Sequence, residues 1–346
     1  MEMVVEDMVA VEKDAYVPSH RPALQKWLLC PQRSGDIREL CKVDGAKHLM
    51  FASPYIAAYF AAIALQFVTS NLWANLLLSA TIGHLLYCLF VLHHDCMHHT
   101  AFRNDRFNRM MGRFYALTFT MTFTTNRETH ARHHAHIADP ERDPDEYYFS
   151  AELKDIWLRI WRYYEWYTRI SLTKYGTRVR WTVLAEQLTN VTAWLAIHVL
   201  LIGLGLGVKL LFIFWFPIAF VALVINPITR GYEHAPITLY PPNDPRRRDM
   251  SKNAITVTNP VLGWLCANIT FHVEHHSYPR CPFYNLQKLH RVFQEERMQY
   301  LVAPFPLYRI WKGKKMLEGM TCNADRRYDP AAVSEPEAQG LEVATV

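Results

Sequence analysis

Between Leu92 and Phe102 the chain reads LHHDCMHHTAF, placing His93, His94, His98 and His99 at the end of a long apolar run. Two further clusters follow: His130-Ala-Arg-His133-His134 and His272-Val-Glu-His275-His276. Imidazole is the commonest neutral metal ligand and suits iron, copper and zinc. Residues at i, i+3 and i+4 share a helix face, so His130, His133 and His134 are expected to project together. The same holds for His272, His275 and His276, and His94 and His98 pair at i, i+4. One HxxxH arises readily by chance; two HxxHH clusters beside it point to a metal centre. Eight imidazoles exceed the four ligands of a structural zinc and suit two metals with open positions.

His234, in NPITRGYEHAPI, is a ninth candidate ligand; a hydrogen-bonded interfacial histidine is the other reading of it. His93 and His99 lie one step off the first cluster's face, as outer or solvated rings. His136 and His290 are assigned to lining positions, and His84 and His198 to bonds with neighbouring helices; His20 and His48 give no signal. Carboxylates accompany each cluster: Asp95, Asp139, Asp143, Glu233 and Glu274. A metal-bound histidine usually donates its other N–H to such a group. Asp95, Glu233 and Glu274 are therefore expected beside the ligands, and Asn268, one turn before His272, beside a metal-bound water. Solvated surface acids are the competing reading for Asp139 and Asp143.

The elements that must hold these rings are apolar. Apolar residues make up 51% of 346, yet mean hydropathy is only −0.07, so hydrophobicity is concentrated in segments. Uncharged or nearly uncharged runs cover about residues 51–69, 72–92, 187–208 and 210–228, each near the roughly 20 residues a membrane-crossing helix needs. Lys and Arg number seven in the first fifty residues, fourteen in 92–185 and fifteen in 229–346, but the turns between paired runs hold only Lys209. Cationic loops stay cytosolic, which predicts two helical hairpins with both termini and all three clusters on the cytosolic side. The acidic N-terminus lacks the pattern of a secretory signal, and seven cysteines without paired spacing predict free thiols. A net charge of +5 without a basic stripe interleaved with aromatics argues against nucleic acid and suits an anionic lipid surface.

The expected organisation is a polar or interfacial arm over 1–50, a membrane domain over 51–323 and a disordered tail over 324–346. Residues 106–125 and 153–172 have the composition of interfacial helices. The fold class expected is all-α: a membrane four-helix bundle of two hairpins under a cytosolic helical cap.

The three clusters together, with HDCMHHTAF, THARHHAHIADPERDPDEYYF, TRGYEH and TNPVLGWLCANITFHVEHHSYPRCPFYNLQKLH around them, resemble the membrane fatty acid desaturase superfamily and its bacterial-type branch. His99 stands where relatives often carry another residue. The resemblance implies two non-haem irons held by His94, His98, His130, His133, His134, His272, His275 and His276, with His234 added, and O2 as co-substrate. It also implies a fatty acyl lipid substrate and an external electron donor of ferredoxin or cytochrome b type with its reductase, because no fused haem-binding HPGG motif is present. Removal of two hydrogens gives a double bond. A hydroxylase or a decarboxylase forming terminal alkenes on the same scaffold stays open, and a zinc-dependent membrane hydrolase is a remoter alternative. A metal transporter fits poorly, since transporters place such ligands within their spans.

Overall fold

The structure is a computed structural model that describes residues 30–139, 143–145, 176–234, 236–237, 240, 244–303, 321–322 and 326–327. The expected interfacial helix over 153–172, the arm before residue 30 and most of the tail lie outside the described residues.

The described chain is mostly helical. Helix α1 covers Ser34–Leu40 and α2 covers Gly45–Val68. The expected boundary at residue 50 thus falls inside α2, which begins where the Asp44 carboxylate accepts from the amides of Ala46 and Lys47. Asn71 caps α3, Leu72–Met97, in the same way through Ala74. This helix does not stop at Leu92 but carries its last turn through His94. Residues 106–125 form two helices rather than one: α4, Asp105–Thr118, and α5, Phe123–His136. Thr120 separates them at φ 61°, a left-handed conformation that a β-branched residue adopts only where its surroundings impose it. Helix α6, Thr177–Gly203, starts before the expected Gln187.

The fourth apolar run, α7 (211–233), alternates π turns at Leu211–Trp215 and Val221–Ile225 with α segments at Phe216–Phe220 and Asn226–Glu233. Among the described residues, α2, α3 and α6 are long and apolar enough to cross a membrane, whereas the apolar part of α7, Leu211–Ile225, is shorter.

Beyond α7 come α8, Pro260–Leu265, α9, His272–Ser277, and α10, Leu286–Glu295. The mostly helical structure agrees with the all-α expectation, with one small sheet added. β1 (Ile255–Val257) pairs in parallel with β2 (Leu301–Ala303), followed antiparallel by β3 (Thr321–Cys322) and β4 (Arg326–Arg327). Strands of two or three residues are too short to display an alternating pattern in sequence. β4 also lies inside the tail expected to be disordered.

Two features fix α3 against α7. A Cβ on Gly83 would stand 2.9 Å from the Pro217 carbonyl, so only glycine lets the backbones approach this closely. Near the opposite end of α3 from the histidines, Ser79 Oγ donates to Phe212 O at 2.7 Å, Gln66 Nε2 to Asn75 O at 2.9 Å, and Lys209 Nζ to Thr69 O at 2.6 Å. Such polar side chains tie apolar helices together by hydrogen bonds as well as by packing. The apolar core lies along α3, chiefly Leu85, Leu86, Leu89 and Leu92 with Tyr115 and Phe123. A second core under α9 and α10 contains Phe271, Val273, Leu289 and Phe293. The cysteines at 30, 41, 88, 96, 266 and 281 are free thiols.

Candidate metal centre

All nine candidate histidines converge, from four elements. The last turn of α3 presents His94, and His98 caps it, its amide bonded to His94 O. The last two turns of α5 present His130, His133 and His134; α9 supplies His272, His275 and His276; and His234 directly follows α7.

They form two groups rather than one face per motif. Ring nitrogens of His94, His98, His130, His134 and His275 lie within 4.8 Å of one another, and so do those of His133, His234 and His276. His272 joins the second group, its Nε2 2.8 Å from His234 Nε2. The expectation that each HxxHH cluster projects as a unit is corrected accordingly. Adjacent residues on a helix point about 100° apart, so His133 and His134 part company, as do His275 and His276. The groups touch where the His134 and His276 rings stack at 4.3 Å between centroids.

Such packing has an electrostatic consequence. His130 Nε2 stands 2.7 Å from His94 Nε2 and 2.9 Å from both His98 Nε2 and His134 Nε2. A neutral imidazole has one N–H and can satisfy one such neighbour, so lone pairs face one another. Burial pushes His130 far below the ordinary imidazole pKa, and His94, His134, His98 and His133 push it the same way. His276 is lowered for the same reasons, burial first, then His134, His272, His234 and His133. His130 and His276 are thus held neutral among converging ring nitrogens, which is what a bound cation requires. Five nitrogens in the first group exceed a tetrahedral zinc's demand, and an all-imidazole set suits iron. The donor set therefore fits metal.

Each accompanying group falls in a different place. His133 Nδ1 donates to the buried Asp143 Oδ1 at 2.9 Å, and Asp143 also accepts from the amides of Ala138 and Asp145. Burial raises the Asp143 pKa, opposed by His133. Asp143 thus occupies the position expected of other acids, and only its nearness in sequence to the second cluster signalled it. Glu233 comes to 3.9 Å from His272 Nε2, close to expectation.

Glu274 does not support a metal-facing histidine in the hydrogen bonds described. It accepts from Tyr300 Oη at 2.5 Å, His290 Nδ1 at 2.6 Å and Thr256 Oγ1 at 2.5 Å, because i+2 from His272 turns it to the opposite side of α9. Asp95, next to His94, likewise faces away and accepts from the Phe283 amide at 3.1 Å, with His48 Nδ1 at 3.8 Å. Asn268 sits at φ 59° in the turn before α9, its Oδ1 beside Gly263. Asp139 pairs with Arg248 at 3.2 Å. His93 is wholly buried, donating from Nδ1 to Gly112 O at 2.8 Å and accepting at Nε2 from Asn126 at 3.1 Å, so neither nitrogen faces the centre. His99 pairs with Asp105 at 2.6 Å.

An apolar groove runs between α3 and α7 to these rings. Leu86, Phe90 and Val91 line one side, Ile218, Val221 and Ala222 the other, and its end is formed by His94, His130 and His272 with Glu233. An apolar groove that ends on imidazoles able to hold metal can bring an apolar molecule to that centre. Residues 71–307 match the family described as fatty acid desaturase.

The chain belongs to the fatty acid desaturase family.

It is an oxidoreductase of desaturase type, and its two histidine groups could each hold a metal ion. Among its relatives is the dihydrorhizobitoxine desaturase of Bradyrhizobium elkanii, 25% identical over 273 residues, covering 70% of this chain and 75% of that protein. The chloroplastic omega-6 fatty acid desaturase of Arabidopsis thaliana is 24% identical over 285 residues, covering 76% of this chain and 62% of its own. The chloroplastic omega-3 fatty acid desaturase of Glycine max is 22% identical over 229 residues, covering 59% and 51%. The chain thus spans less than two thirds of these two plant relatives.

Proposed function

We propose that this desaturase-family chain holds two iron ions, one in each histidine group, and introduces a double bond into a fatty acyl chain using O2. His94, His98, His130, His134 and His275 would hold one ion; His133, His234, His272 and His276 would hold the other. Iron supplies the oxidising power toward an unactivated C–H bond that no amino-acid side chain has. Electrons come from a separate donor of ferredoxin or cytochrome b type with its reductase.

The protein residues position and insulate. The Asp143 carboxylate takes the His133 Nδ1–H and so turns its Nε2 toward the second ion. Glu233, at the groove's end, stands 3.9 Å from His272 Nε2. The groove walls exclude water and confine the chain so that a methylene lies against His94 and His130. The observation that carries this reading is the apolar groove ending on both histidine groups.

The two hairpins α2–α3 and α6–α7 lie in the bilayer with both termini and the histidines on the cytosolic side. The Lys and Arg distribution supports that orientation. Purified protein, reduced by a chemical or protein donor and supplied with defined acyl lipids and O2, should yield an unsaturated product by mass spectrometry. A hydroxylated or shortened product would replace the reaction proposed while keeping the centre.

A further inference from the structure

The groove is not the end of the apolar space. A cleft of about 390 Å³ lies between α4 and α6, walled by Met110, Phe114, Leu117 and Phe123 and by Thr182 and Thr189. Met121 lines both this cleft and the groove at the histidines. Its backbone is pinned, its amide donating to Ala116 O at 3.2 Å and its carbonyl accepting from Asn190 Nδ2 at 2.7 Å. Phe119 faces the groove and Phe123 the cleft, each edge-on to His93. The partition therefore includes an unbranched, adaptable methionine on a fixed backbone.

The cleft is also lined by an ion pair, Arg113 with Glu186. Arg113 Nε donates to Glu186 Oε1 at 2.7 Å, and Glu186 is turned inward by further bonds from the Thr124 amide and hydroxyl. The Arg113 side chain stays 44% exposed, so the rest of its donor fork is accessible. Met110 and Phe114 are exposed beside it, at 54% and 40%. An apolar cleft with a guanidinium in its wall and bare apolar side chains beside it has the chemistry of an anionic amphiphile.

We propose that the α4–α6 cleft seats the head end of the acyl substrate, Arg113 binding its carboxylate or phosphate. The chain passes Met121 to the histidines and continues into the α3–α7 groove. This rests on the acyl-chain reading above and names the substrate's charge and direction.

The test uses the full chain in lipid nanodiscs with a long-chain fatty acid carrying a photoreactive diazirine near its carboxylate, labelled sites being mapped by mass spectrometry. Labelling needs no turnover. The expected sites are residues 110–123 and 182–190. Competition by unlabelled fatty acid or by phosphatidylglycerol identifies which anionic head binds, and the fatty acid methyl ester competes several-fold less well. Arg113→Ala reduces labelling several-fold with metal content unchanged, and Arg113→Lys restores most of it. With the diazirine at the methyl end, Met121→Trp removes labelling of residues 86–91. Labelling of the α3–α7 groove alone, or equal competition by the methyl ester, overturns this proposal while leaving the acyl-chain reading intact.

Discussion

His133 Nδ1 lies 2.9 Å from Asp143 Oδ1, with both side chains buried, and this bond orients one ring of the second histidine group. Asp143→Asn keeps the shape but weakens the acceptor. Metal affinity at that group, or activity, should fall by about 10- to 100-fold, the usual cost of losing an outer partner. Metal titration followed by turnover checks this; an unchanged affinity would make Asp143 a purely structural acid.

Glu274 tests the opposite assignment. It holds Tyr300, His290 and Thr256 together behind α9 and, in the bonds described, reaches no metal-facing ring. Glu274→Ala leaves those buried donors unsatisfied, at about 1–3 kcal/mol each. Thermal stability should drop by several degrees. Asp95→Ala should also destabilise, since that buried carboxylate accepts from the Phe283 amide and interacts with Thr100 and His48. Equal melting temperatures for Glu274→Ala and wild type would refute the bracing role.

Acid should act on the metal-free protein through the same crowding. His130 and His276 are held below the ordinary imidazole value, so the unfolded chain binds protons that the folded one refuses. Folding is therefore unaffected while pH stays above about 6.5 and loses stability as pH falls below it. Melting curves of chelated protein across that range read the effect. A melting temperature independent of pH would mean that these rings charge freely in the folded state.

How much of this was legible in the sequence follows from what each feature depends on. The histidines were visible because their spacing repeats on helices, and the apolar runs because uncharged length is a local property. The division into two groups was not, since it depends on which side of α5 and α9 each partner arrives from. Asp143 outranked Glu274 for a similar reason: the turn after α5 brings Asp143 back onto His133, whereas Glu274 is fixed to the far face of its own helix. His48 gave no signal and His93 was read as an outer or solvated ring, because their partners, Asp95 for one and Gly112 and Asn126 for the other, are not grouped with them by any sequence motif. The break at Thr120 and the short strands are imposed by tertiary packing, which local composition does not record.

The central claim is that two irons sit in separate histidine groups and act on one acyl chain. Iron content and O2-dependent product formation should be measured together for wild type, His130→Ala and His133→Ala in membranes. The account predicts about two irons per chain in wild type, fewer in each variant, and no unsaturated product from either variant although both still insert. Full turnover by either variant, or zinc in place of iron in active wild-type protein, would contradict it.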